Sequence, residues 1–128
     1  MRAQVAMEFI IILCFTLIIL AAAVGISFQK SIETESERMR LEAEQVLYAA
    51  ASAINMAHAE GDGFSTAFSL PASVGGANYT IETSSTLIWM EAAGSFYAET
   101  LLTDNVTGAF VPGENTVRNA GGGIRLNG

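Results

Sequence analysis

Few residues of this chain have the type and spacing to do chemistry. Glu8 stands at the mouth of a long apolar run, and an ionisable group at membrane depth is a functional feature by default; hydrated at an interface it would be ordinary. Asn78-Tyr79-Thr80 and Asn105-Val106-Thr107 have the pattern of N-glycosylation acceptors, which belong on exposed loops of exported proteins. His58 is the only histidine; with no second His or Cys as a metal partner, it reads as a partly buried or helix-end residue. Cys14, the single cysteine, lies within the apolar run, behaves there as a small hydrophobe and has no partner for an intrachain disulfide. Ser, His and Asp all occur without the arrangement of a nucleophile and its base. Gly121-Gly122-Gly123 lacks the Lys-Ser/Thr of a phosphate loop and reads as a turn. Trp89 and the phenylalanines read as core. No catalytic residue, metal or cofactor is expected.

The elements that hold these residues begin with the stretch Gln4 to Gln29, which carries no charge from Phe9 onward. About 20 apolar residues suffice for a helix to span a hydrocarbon layer ~30 Å thick, and a helix satisfies its backbone polar groups internally. The segment reads as a transmembrane helix. An ordinary secretory signal would have a shorter apolar region and a break after a small-residue cleavage site. Ala21-Ala22-Ala23 imitates such a site, but helix-compatible sequence continues past it. The overall balance is acidic, net −7 with six Lys and Arg against 13 Asp and Glu, which argues against a nucleic-acid surface. Charge around the helix does not settle orientation, because Lys30, Arg38 and Arg40 outnumber Arg2.

From Lys30 to Gln45 the chain is charged, and no Gly or Pro interrupts it before Gly61. Met39, Ala43, Val46, Leu47, Ala50, Ile54 and Ala57 recur at spacings of three and four, one face of an amphipathic helix. Gly61-Asp62-Gly63 is the stop. The pattern predicts one helix from about Gln4 to Glu60, apolar all round over 4–29 and amphipathic over 30–60, with Gly25 near the join as a place for a bend or a close approach. Past Phe64 the period becomes two. Phe64–Leu70, Tyr79–Thr83, Thr86–Met90, Ser95–Leu101, Val106–Val111, Asn115–Arg118 and Ile124–Leu126 read as short strands between Gly, Asn and Pro punctuation. The unbroken apolar run Thr86–Met90 reads as a strand covered on both sides. The expected fold is α+β: a long N-terminal helix with a small antiparallel β head, residues 61–128, packed on the stripe from Met39 to Ala57.

Met1-Arg2-Ala3, then Gln4-Val5-Ala6-Met7-Glu8-Phe9, then the apolar helix, resembles the class III signal peptide of archaeal type IV pilins. The segments Leu101–Gly108 and Asn115–Gly122 resemble the closing strands of that family. The resemblance covers the N-terminal helix and the C-terminal third, while the middle carries only generic β pattern. It implies that residues 1–3 are a leader removed by a prepilin peptidase between Ala3 and Gln4, and that the exposed Gln4 becomes the first residue, open to cyclisation. It implies that Gln4, Glu8 and Phe9 act in assembly, with Glu8 as fifth residue of the mature chain. In bacterial relatives that carboxylate pairs with the amine of a neighbour's first residue. With Gln4 cyclised the amine is gone, and Glu8 must be protonated or hydrogen-bonded.

On this reading the protein is a structural subunit, not an enzyme. It is held in the membrane as a single-pass protein, then polymerises with copies of itself into an extracellular cell-surface pilus that serves adhesion. A pilus assembly ATPase and a membrane platform are the partners implied, and no nucleic acid. The other reading, from a different class, is a signal-anchored membrane protein or minor pilin-like subunit that displays a small β binding domain.

Overall fold

A computed structural model describes residues 1–128, which divide into two compact units, Met1–Glu37 and Arg38–Gly128. The elements are one helix, α1 (Arg2–Glu60), and seven strands: β1 (Ser65–Leu70), β2 (Tyr79–Ser84), β3 (Leu87–Ala92), β4 (Ser95–Thr100), β5 (Val106–Thr107), β6 (Gly113–Ala120) and β7 (Gly123–Leu126). The architecture is α+β, as the hydrophobic periods require. The helix begins at Arg2, two residues before the expected start, because nothing between Arg2 and Gln4 opposes helical geometry.

The first unit is helix alone, and every one of its side chains is exposed. The two hydroxyls of the apolar run turn inward on the backbone. Thr16 Oγ1 donates to the carbonyl of Ile12 at 2.8 Å, and Ser27 Oγ to that of Ala23 at 2.9 Å. Each hydroxyl is satisfied one turn back on its own helix. Nothing in the chain lies within 4 Å of a Cβ built on Gly25.

In the second unit the stripe foreseen on the helix is the floor of the core. Ala43, Leu47, Ala50, Ile54 and Ala57 are buried, joined by Ala51 and Ala53. Met39 and Val46 flank this core, half-buried. Full burial of Leu47 and Ile54 contributes about 1.5–3 kcal/mol each. Two sheets supply the rest of the core. One has the order β1-β6-β7-β5 and the other β2-β3-β4. The second is wholly antiparallel, whereas β5 lies parallel to β7 over Val106 and Thr107.

That parallel pair corrects the expected strand Val106–Val111, which stops after two residues. Gly108 follows with φ of +98°, and a Cβ there would run into the carbonyl oxygen of Leu126. The chain must turn at this point, and only glycine makes the turn without a clash. β3 also departs from expectation. Ile88, Met90 and Ala92 are buried while Leu87 and Glu91 are exposed and Trp89 is half-buried, so the strand is covered on one side only. Half of the apolar run Thr86–Met90 faces outward.

Buried polar groups tie the parts of this unit together. Asn115 is fully buried; its amide donates to the carbonyls of Val111 and Gly113, and its oxygen accepts from Val111 N and Asn127 Nδ2. Asn119 Nδ2 donates to the carbonyl of Ala57 at 2.9 Å, and its Oδ1 accepts from Gly122 N at 3.0 Å. The Ala57 carbonyl is one of the last four of α1, which have no partner within the helix. Glu42, read from sequence as part of a solvated helix face, is half-buried and accepts from Gly75 N at 2.9 Å. No buried side-chain nitrogen or oxygen is left without a partner.

Candidate functional site

The residues singled out in the sequence fall in three places. Ala3, Gln4, Glu8 and Phe9 lie in the opening turns of α1, all exposed, with Phe9 65% accessible. Gln4 and Glu8 are four apart and therefore neighbours on one face. The structure thus brings these two together at the head of the apolar run. From Phe9 to Gln29 every side chain is exposed and uncharged, including Ile12, Phe15, Ile18 and Ile19 at 64–66% accessibility. Within α1 lies a stretch long and apolar enough to cross a membrane, near the N-terminus. At about 1.5 Å per residue its uncharged part matches a hydrocarbon layer ~30 Å thick. Such a surface has no stable place in water: it needs lipid or other apolar side chains around it.

The two Asn-X-Thr triplets lie in the second unit, both exposed at the asparagine. Asn78 sits just before β2, after the hairpin in which Val74 and Ala77 exchange backbone hydrogen bonds around Gly75-Gly76. The Tyr79 phenol that follows donates to the Pro71 carbonyl at 2.5 Å, and burial pushes its pKa up. Asn105 is more enclosed. Its amide lies over Gly123, its carbonyl accepts from Ile124 N at 2.8 Å and its N–H donates to Thr103 Oγ1 at 3.1 Å. Thr107 Oγ1, the acceptor hydroxyl of that triplet, points to the Ile124 carbonyl.

His58 lies in the last turn of α1 and is exposed, a helix-end residue one step off the stripe through Ile54 and Ala57. The expectation about Trp89 needs correction. Trp89 is not core. With Leu87 and Phe96, the latter 67% accessible, it forms the outer face of the β2–β4 sheet; the Trp89 and Phe96 ring centroids are 5.8 Å apart. A period-two count through β3 separates Leu87, Trp89 and Glu91 from Ile88, Met90 and Ala92, so the signal was present and was masked by the run of apolar types. A cleft of about 290 Å³ runs beside β2, lined by Leu70, Tyr79, Ile81, Phe110 and Pro112 among others. No group of three or more His, Cys, Asp or Glu side chains gathers where a metal ion could be held.

No protein-family model matches the chain, and neither characterised proteins nor solved structures show significant similarity to it.

Proposed function

We propose that this protein is a structural subunit of a type IV pilus-like surface filament of the archaeal kind, stored in the membrane through residues 4–29 and polymerised by exchanging lipid for neighbouring copies of the same helix. The observation that carries the reading is the helix surface from Phe9 to Gln29, exposed and uncharged on every side, headed by a carboxylate and a short basic leader. A rod of this kind in a bundle replaces lipid tails with packed side chains, and Ala21-Ala22-Ala23 with Gly25 permits close approach of a partner backbone. The open space around Gly25 suits that use. Residues 38–128 have their own core and stay in water as an acidic domain, with adhesion as its role. On this proposal the prepilin peptidase cuts between Ala3 and Gln4, and an assembly ATPase with its membrane platform drives polymerisation.

Glu8 has no basic residue within reach on its helix face, the nearest in sequence being Arg2 and Lys30. In the filament its carboxylate must be protonated or find a partner on another copy, because an unpaired charge buried among apolar rods is strongly disfavoured. Two variants of the full chain test this by electron microscopy of sheared surface material. Glu8→Ala inserts in the membrane normally and yields few filaments. Ile18→Lys, a charge costing about 2.5–3.5 kcal/mol at the centre of a membrane helix, yields none while residues 38–128 stay folded. Normal filament yield from both variants would refute the proposal.

A further inference from the structure

Arg118 and Arg125 are the only Lys or Arg residues after Arg40, and the β6–β7 hairpin sets them directly opposite each other. Both are exposed. Like charges opposite on one sheet face are destabilising, and the flanking partners in that row, Ser65 and Thr107, carry no charge. The one carboxylate on the same face of β6 is Glu114, four residues away, or ~13 Å along a strand. A pair of guanidinium groups has thus been gathered at a cost to the sheet, in a chain of net charge −7.

The complementary surface is on the other sheet of the same unit. Trp89 lies opposite Glu82, and Phe96 opposite Glu91, so both carboxylates stand on the outer face beside the paired rings. That face carries no Lys or Arg. An indole face attracts a guanidinium within about 6 Å, and Arg, planar and weakly hydrated, stacks on aromatic rings more readily than Lys. Glu82 and Glu91 are diagonal neighbours, ~7–8 Å apart, while the two arginine Cβ atoms are ~4.5–5.5 Å apart. Two long side chains that repel each other splay enough to meet both carboxylates.

We infer that the Arg118–Arg125 pair of one copy docks on the Trp89–Phe96 platform of the next, between Glu82 and Glu91. The inference rests on the filament reading above and adds to it a contact between the water-facing domains. The two faces differ and every copy bears both, so the contact is heterologous and propagates from copy to copy as a filament requires. A small anion would satisfy the arginines alone; a second copy answers both surfaces at once. Because the charges are solvent-facing, the contact weakens as salt rises.

The test uses the full chain expressed where it polymerises. R118E/R125E and E82R/E91R each make the contact repulsive, and filament yield is expected to fall by roughly tenfold or more, as close interfacial charge pairs allow. The quadruple variant, with all four charges exchanged, restores it. In filaments of R118K/R125K, a carbodiimide should join position 118 or 125 to Glu82 or Glu91 of another copy, read by peptide mass. R118Q/R125Q separates contact from folding: it removes the like-charge pair, so the melting temperature rises while yield falls. Double reversals that polymerise like the parent, or a quadruple variant no better than either double, would overturn the contact and leave the filament reading standing. A parent chain that forms no filaments would overturn both.

Discussion

Asn119 joins the end of α1 to the β6–β7 hairpin, and its removal should be among the costliest single changes in the second unit. The side chain is 2% accessible and makes two hydrogen bonds, Nδ2 to the Ala57 carbonyl and Oδ1 from Gly122 N. In Asn119→Ala the Gly122 N–H can turn to water, since that residue is exposed. The Ala57 carbonyl cannot, because Ala57 is fully buried and its helix offers it no donor. Leaving one buried acceptor unsatisfied costs about 1–3 kcal/mol. The lost bond and the space left by the amide bring the total to roughly 2–4 kcal/mol. For a unit of this size each kcal/mol moves the midpoint by about 4–8 °C, so a fall of roughly 10–25 °C is expected. Asn119→Asp is the control: it keeps the acceptor for Gly122 N, loses the donor to Ala57 and adds a buried charge, so it should melt no higher than the alanine variant. The assay is thermal unfolding of the full chain in detergent micelles, followed in the near-ultraviolet, where Trp89 and the tyrosines of the second unit report. An Asp variant as stable as the parent, or an Ala variant within about 3 °C of it, which is under 1 kcal/mol, would refute the role given to the Nδ2 bond.

Gly108→Ala should destabilise the second unit by about 2–4 kcal/mol, because the added carbon meets the Leu126 carbonyl at a φ that L-residues adopt only with strain; a melting point within error of the parent would count against the turn described. At the two triplets, peptide mapping of native protein should find more glycan on Asn78 than on Asn105, whose amide lies against Gly123 and whose backbone is held at both N–H and carbonyl. The reverse order of occupancy would contradict that ranking.

How much of this could be read from residues alone differs between the elements. The helix was readable because its signal is long: an uncharged apolar run, then a stripe from Met39 to Ala57 that the core reproduces nearly residue for residue. β1 and β2 were readable because Phe68, Leu70 and Ile81 alternate with exposed partners. The covering of β3 is hidden in the sequence because Leu87 and Trp89 are apolar yet lie on the open face, where pattern and burial part company. The end of β5 is not legible locally, because the contact that ends it, Gly108 against Leu126, joins positions far apart in the chain. The Arg118–Arg125 pair was within reach: a two-residue turn at Gly121-Gly122 sets Ala120 against Gly123 and so Arg118 against Arg125. Glu42 was not, since nothing local says that a loop amide from Gly75 will meet it.

The central claim, that residues 4–29 are the shared core of a filament built from processed chains, is tested most directly by intact mass and N-terminal analysis of filaments sheared from the cell surface. This chain should be their main component and begin at Gln4, lighter by Met1-Arg2-Ala3, with or without cyclisation of the terminal glutamine. Filaments whose subunits still carry Met1, or a native protein found only as a dispersed membrane monomer, would contradict it.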